Sequence, residues 1–495
     1  MQLEFRKDKL PCMQPVVQDT QVQEQTQEVR ISDGIPDIGS ILCSWGQVIL
    51  RSKEWDGDLI TVNGGTMVWV QYLPDGGETP ETVECWLPFQ MRWNVPDPHQ
   101  EGMLLTQLLL KSVDARSTSA RKMIIRSNVC MSITAMEHCQ KEICIPEGKP
   151  VDVQLHIQSY PVLLTAEAGE KAFSLEETFP LNSPSAKICA YWLQAEVKEH
   201  RLMGDKVVFR GSGALQVLLQ TPDGNFYSKA FELPFSQYSE LETEYGDDVD
   251  VVFCPVVTSL ETELTESELR VKAGITGQYE IRSRPVLTVV ADAYSPNREV
   301  TMQQDNLALP GILESKSQMI HAKRNIPVEG AQTAVTQFLP CAPAVSTIDN
   351  GGQITLSGHF QTLVYDLEGN PKSNTEKWEQ QLQIPIGDGG CLDARILPVG
   401  TAQSDILSGQ LQQEGELILQ TDIRMDTGIP MVTGLELGDV REPDAGRPSL
   451  ILRRAGNHNL WELAKAACST TEDIMRANDL SGEPGEDQML LIPIK

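Results

Sequence analysis

The segment Gly352–Gly369, GQITLSGHFQTLVYDLEG, decides how most of this chain is read. Ile354, Leu356, Phe360 and Val364 alternate with Gln353, Thr355, Ser357, His359 and Gln361. A period of two puts the first set on one face of a strand and the second on the other, so one face is buried and one is wet. Gly358 interrupts the apolar face, as glycine does at a bulge or where another backbone comes close. Glu368-Gly369 then supplies the positive φ of a hairpin turn.

The pattern recurs. DLITVNGGTMVWVQYLPDGG from Asp58 and DKVVFRGSGALQVLLQTPDG from Asp205 carry the same pair of glycines eleven residues apart, at Gly65 and Gly76, Gly213 and Gly224, Gly358 and Gly369. The copies are offset by 148 and 145 residues, and a hydrophobic-Pro pair follows each turn at Leu87-Pro88, Leu233-Pro234 and Ile384-Pro385. Internal repetition at this spacing means one domain type used three times, each a compact antiparallel β domain of sandwich type. A lead-in precedes each copy (GIPDIGSIL from Gly34, NSPSAKICA from Asn182, EGAQTAVTQF from Glu329), and a second strand-rich half closes it (KMIIRSNVCMSI, SELRVKAGITGQYEI, GELILQTDIRM). The expected units are 28–168, 169–315 and 316–445. Residues 1–27, Gln-rich and polar, read as an arm that is either mobile or an added edge strand.

The 495 residues carry 69 acidic against 40 basic side chains, a net charge of −29, which disfavours nucleic acid and anionic lipid as partners. The first residues, MQLEFRKDKLPCMQP, have no apolar signal region, and no apolar run approaches a membrane span, so export and membrane insertion are not expected. The eleven cysteines are odd in number and without a CxxC pair, which reads as reduced thiols. His138, Cys139 and Cys144 in EHCQKEIC lack a fourth ligand at zinc spacing and read as a core strand. Ten carboxylates and no Lys or Arg lie between Glu240 and Glu268, without the order of a calcium loop, and read as a solvated acidic face. No GxSxG, HExxH, GxxxxGK[ST] or complete GxGxxG occurs, and GSGALQ runs on as strand, so no catalytic residue and no cofactor is assigned.

The segment 449–495 breaks the pattern and reads strand–helix–helix–strand, a small α+β unit. Asn459 is a good N-cap with Glu462 three residues on, and Leu460, Leu463, Ala464 and Ala467 share one helical face. Ser469 with Glu472, or Thr470 with Asp473, starts a second helix through Ile474 and Met475, and PGEDQMLLIP turns into a closing strand.

These tail residues resemble a LysM domain: a glycine loop, Leu460-Trp461, Ala464-Lys465, Ala477-Asn478 with Leu480, and Leu491-Ile492-Pro493. Members of that family bind chitin or peptidoglycan glycans through the loop before the first helix and the loop after the second. The resemblance therefore makes Gly456, Asn457, His458 and Asn459, with Asn478, Asp479 and Leu480, the candidate partner- or glycan-binding residues. The family's Gly-Asp-Thr loop is replaced here by residues 456–459, one residue longer, and Trp461 is implied to be a core anchor. Asn457, His458 and Asn478 read as surface positions. Upstream, PDIGSIL from Pro36, Pro88-Phe89, Pro234-Phe235, SPSAKI from Ser183 and DAYS from Asp292 resemble the SPOCS (spore coat and sporulation) domain family over roughly residues 30–440, the third copy being the most divergent, with Ile386 in place of phenylalanine. Together the two resemblances imply a mainly β, non-catalytic scaffold of spore coat assembly, placed in the mother-cell cytoplasm at the forespore surface or in the coat. Its tail would bind a coat morphogenetic ATPase of the stage IV sporulation protein A type, alongside other spore coat proteins. The alternative is a peptidoglycan- or N-acetylglucosamine-binding protein of the cortex or cell wall.

Overall fold

The computed structural model describes residues 2–3, 5–96, 102–146, 152–181, 187–246, 248–265, 267–309, 311–348, 351–387, 390–425, 428–441 and 448–494. The expected motif residues Ser183-Pro184-Ser185 and the boundary at 445 lie outside these residues. The chain is mainly β, built from several antiparallel sheets, and no helix among the described residues is long and apolar enough to cross a membrane.

After the two-residue β1 (Gln2–Leu3), a first unit runs through β2 (Phe5–Arg30), β3 (Ile38–Asp56), β4 (Leu59–Pro74), β5 (Glu81–Asn94), β6 (Gly102–Ser119) and β7 (Lys122–Pro146). β3, β4 and β5 form a meander, while β2 and β6 flank β7. The second unit repeats this order with its long first and last strands each interrupted once: β8 (Gln154–Pro161) and β9 (Leu164–Pro180), the meander β10 (Lys187–Leu202), β11 (Lys206–Gln220) and β12 (Phe226–Glu240), then β13 (Val249–Leu264), β14 (Glu268–Ser283) and β15 (Val286–Tyr294). The third follows as β16 (Arg298–Ala308), β17 (Gly311–Pro327), β18 (Ala331–Ile348), β19 (Gly351–Asp366), β20 (Pro371–Pro385), β21 (Gly390–Leu407), β22 (Gln410–Met425) and β23 (Gly428–Val440).

In every unit the first strand pairs with the last along its length. The pairing runs from Phe5↔Pro146 to Arg30↔Lys122, from Gln154↔Tyr294 to Pro180↔Glu268, and from Arg298↔Val440 to Pro327↔Gln410. These ribbons set the unit ends differently from the sequence pattern. Residue 168 falls inside β9 and residue 315 inside β17, while residues 1–27, read as a mobile arm or an added edge strand, are mostly the strand β2. The expected divisions therefore shift toward the N-terminus, because each unit opens on a strand whose partner lies at the far end of the same unit, from Arg30↔Lys122 out to Phe5↔Pro146 in the first. β2 shows the local reason: Gln21, Gln23 and Gln25 alternate with exposed residues and Gln27 is itself exposed, leaving few apolar positions to mark a strand.

The quoted segment is β19. Ile354, Leu356 and Phe360 are buried and Gln353, Thr355, Ser357 and His359 more exposed, as period two requires. From Gln361 to Tyr365, however, both faces are buried, because Gln361 donates to Ser44 O of the first unit instead of facing water. Gly358 lies on the buried face, where a Cβ would come within 2.9 Å of both Leu339 O and the Phe338 ring. The turn glycines Gly76, Gly224 and Gly369 all have φ between 68° and 85°. Within the first unit, Ile60, Val62, Val68 and Val70 of the meander share one core with Met123, Ile125, Val129 and Met131 of β7. The meander therefore packs on the β2-β7-β6 half of a six-stranded sheet that continues through Met13↔Thr165 into β9, β14 and β13.

The units also pack on one another. Trp45 stacks on Trp192 at 5.2 Å, and Phe226 on Tyr365 at 4.9 Å. Gln337 accepts from Gly46 N at 3.2 Å and donates to Gly46 O at 2.7 Å, as a paired strand would. Gln47 accepts from Leu193 N at 2.8 Å. Between the second and third units lies a buried ion cluster: Arg282 meets Glu280 at 2.9 Å and Asp422 at 3.0 Å, and Arg395 meets Glu280 at 3.0 Å. Glu280 and Asp422 are each the thirteenth residue of their strand, β14 and β22 (280 − 268 = 422 − 410 = 12), so equivalent positions of two units meet. Burial alone would push the Glu280 carboxyl up, but the guanidiniums of Arg395 and Arg282 outweigh it and hold the group at about 2.

Candidate functional site

The tail folds as β24 (Leu450–Arg454), α1 (Leu460–Ala467), α2 (Thr471–Ala477) and β25 (Met489–Pro493). Asn459 caps α1, its side chain accepting from Glu462 N at 2.8 Å, and Thr470 caps α2 by accepting from Asp473 N at 3.1 Å. Of the two cap pairs open for the second helix, Thr470 with Asp473 is the one formed. Leu460, Leu463, Ala464 and Ala467 are buried together with Ile474, Leu490 and Ile492. Glu462 does not close a capping box; its carboxylate takes His458 Nδ1 at 3.1 Å instead.

The candidate residues fall into two kinds. Gly456 has φ 60° and donates to Glu486 O at 2.9 Å, turning the chain out of β24. Asn457 and His458 are exposed. Asp479 is exposed with φ 50°. Asn478 departs from its reading as a surface position. Its amide donates to Ile474 O at 2.8 Å and Leu491 O at 2.7 Å, and its Oδ1 accepts from Leu491 N at 2.7 Å. Asn478 thus replaces a neighbouring strand along β25 and is structural. Leu480 packs against the tail's core and donates its N–H to Met475 O at 3.0 Å. Glu483, which follows α2, accepts from Leu460 N at 2.8 Å and so ties the second loop to the start of α1.

Sequence reasoning missed where the tail is fastened. Trp461 is not enclosed within the tail alone. Its ring stacks on His156 of β8 at 4.7 Å and meets Tyr294 of β15 edge-on at 4.8 Å, while Nε1 donates to Asp292 at 2.8 Å. Lys465 Nζ lies 2.7 Å from the same carboxylate, and Tyr294 OH donates to Ser469 O at 3.0 Å. Burial opposes ionisation of Asp292, but Lys465 and Trp461 more than compensate and hold its carboxyl below the ordinary range. The DAYS stretch from Asp292 is therefore the dock for α1, and the Ala464-Lys465 pair is its counterpart. Both signals were in the sequence, 173 residues apart for Lys465 and Asp292, with nothing local to link them.

The docked tail leaves one face of its two-stranded sheet outward. Leu450, Leu452, Met489 and Leu491 are 49, 60, 52 and 38% exposed, and the register sets Leu452 opposite Leu491.

Elsewhere, His138, Cys139 and Cys144 lie on β7 as a strand, with Cys144 buried. Among the described residues, the side chains grouped closely enough to hold a cation are His321, Glu414 and Glu416, with His321 Nδ1 2.9 and 3.2 Å from the two carboxylates. Lys323 Nζ, 3.0 Å from Glu414, supplies countercharge there and leads the groups that lower its carboxyl.

Comparison with protein-family models, with curated proteins and with solved structures gives no match for this chain.

Proposed function

We propose that this chain is a non-catalytic scaffold of spore coat assembly, with three SPOCS-like β domains carrying a LysM-like tail that grips a protein. The partner in this reading is a coat morphogenetic ATPase of the stage IV sporulation protein A type, met on the mother-cell side of the forespore surface. The observation that carries the reading is the outward face of the tail's sheet. Leu450, Leu452, Met489 and Leu491 form an exposed apolar surface on that face, bordered by Arg454 opposite Met489. A clustered apolar face with a polar rim suits a protein surface better than a sugar, which needs flanking hydrogen-bond donors and acceptors.

The commitments of Trp461, on α1, and of the candidate residue Asn478 support the same reading. Trp461 is engaged by His156, Tyr294 and Asp292, and Asn478 is committed to the backbone of β25. Neither side chain is free to face a glycan. The test is a pull-down of the coat ATPase by the full chain and by a chain lacking 449–495, with co-sedimentation on purified sacculi run in parallel. Recovery of the ATPase by the full chain alone, with no pelleting on sacculi, is expected. Equal recovery by both chains refutes tail-mediated gripping, and tail-dependent pelleting favours the cortex or wall alternative.

A further inference from the structure

The ribbon of the first unit differs from the other two at one place. β2 and β7 run without interruption, whereas the second ribbon breaks between β8 and β9 and between β14 and β15. Counting eighteen residues back from the last residue of the first strand gives Cys12 in the first unit (30 − 18) and Val162 in the second (180 − 18). Counting seventeen on from the first residue of the last strand gives Cys139 (122 + 17) and Pro285 (268 + 17). Val162 and Pro285 hold the broken ribbon by one backbone bond of 3.1 Å. Cys12 and Cys139 are directly opposite in the unbroken one, and their sulfurs are 3.0 Å apart.

We propose that Cys12 and Cys139 form a reversible dithiol–disulfide pair that staples the first ribbon when a peroxide is present. Directly opposed residues of antiparallel strands bring their Cβ atoms near the separation a disulfide requires, and here the sulfurs already lie 3.0 Å apart. The two cysteines have unequal access. Cys12 is 4% exposed and Cys139 half-buried. Burial first, and then the bond to Cys139, pushes the Cys12 thiol upward, which makes Cys12 the slower of the two to meet an oxidant.

Oxidation starts at Cys139, the more accessible of the two sulfurs. Its thiolate attacks a peroxide oxygen, the O–O bond breaks, and the released hydroxide takes up a proton to become water, leaving a sulfenic acid on Cys139. The Cys12 sulfur then displaces hydroxide from that sulfenic acid, and the Cys12 proton leaves with it as a second water. Two thiols lose two electrons and two protons, and one peroxide becomes two waters. A thiol reductant reverses the step by exchange.

The experiment treats the native full chain, carrying Cys391→Ser to remove an exposed competing thiol, with hydrogen peroxide. Remaining thiols are alkylated and the chain is digested without reduction for mass spectrometry. The expected result is a linked Cys12–Cys139 peptide that disappears on dithiothreitol treatment, with a raised Tm for the oxidised chain. Cys139→Ser should abolish both the linked peptide and the rise in Tm. Recovery of Cys12 and Cys139 as separately alkylated peptides after peroxide treatment overturns the proposal, as does a linkage of either to another cysteine. The chain that keeps both cysteines decides the matter even where a substituted chain fails to fold.

Discussion

The two ends of this chain are held in opposite ways. The N-terminal β2 is paired with β7 from Phe5 to Arg30, and its loss would strip one whole edge of β7 of its backbone partners, leaving only β6 on the other. The C-terminal tail closes its own core around Leu463, Ile474 and Leu490, and reaches the rest of the molecule through a few side chains on α1 and the turn after it. A segment that contributes a strand belongs to the fold, while a module fastened at a handful of points is a separable part. Polarity alone does not tell them apart, since β2 is the more polar of the two and the more deeply built in.

Breaking that contrast at its strong end gives the largest effect. Removing residues 1–30 should abolish cooperative unfolding of the first unit, seen as loss of its protected amides in hydrogen exchange. Removal of 449–495 should leave the three units' exchange pattern intact outside His156 and 292–294. Next comes the cluster that joins the second and third units. Glu280→Gln leaves Arg282 and Arg395 without their shared anion, and a loss of about 3–5 kcal/mol in denaturant unfolding is expected for a broken buried pair.

The sign of the pH effect follows from the lowered Glu280 carboxyl. Its stabilisation is fully present above the unfolded value near ~4.3 and is lost as pH falls toward about 2. The stability gap between the parent chain and Glu280→Gln should therefore close across that window and stay constant above pH 5. A gap unchanged at pH 2.5 would show that the cluster does not hold these units together.

At the weak end, Asp292→Asn removes the anion shared by Trp461 and Lys465. Lys465 is substantially exposed, so solvent screening limits the expected cost to about 1 kcal/mol. The readout is faster proteolytic release of the tail with the global Tm nearly unchanged. Smallest of all, Asn457→Ala and His458→Ala should alter stability by less than about 0.5 kcal/mol, as surface changes do. Asn478→Ala should cost more than either, because Leu491 N–H and C=O both lose their partner.

The local layers of this fold were legible in the sequence. Alternation in β19, the turn glycines, the Asn459 cap and the buried face of α1 all follow from spacing within ten or so residues. The unit ends were not legible, because the strand that opens each unit is recognised only by a partner that closes it. β2, with glutamine at alternate positions, offers too few apolar residues to announce a strand by itself. The site divides in the same way. Exposure of Asn457 and His458 was readable, whereas the structural duty of Asn478 and the Asp292 dock depend on contacts that only the folded chain creates.

The central claim is that the tail's outward sheet face holds a protein. Its most direct test is the affinity of the full chain for the purified coat ATPase, compared with that of Leu452→Glu. Leu452 is 60% exposed, so the substitution spares the tail's core, which circular dichroism and an unchanged Tm would verify. A drop in affinity of tenfold or more is the predicted result. Equal affinity of the two chains would contradict the account.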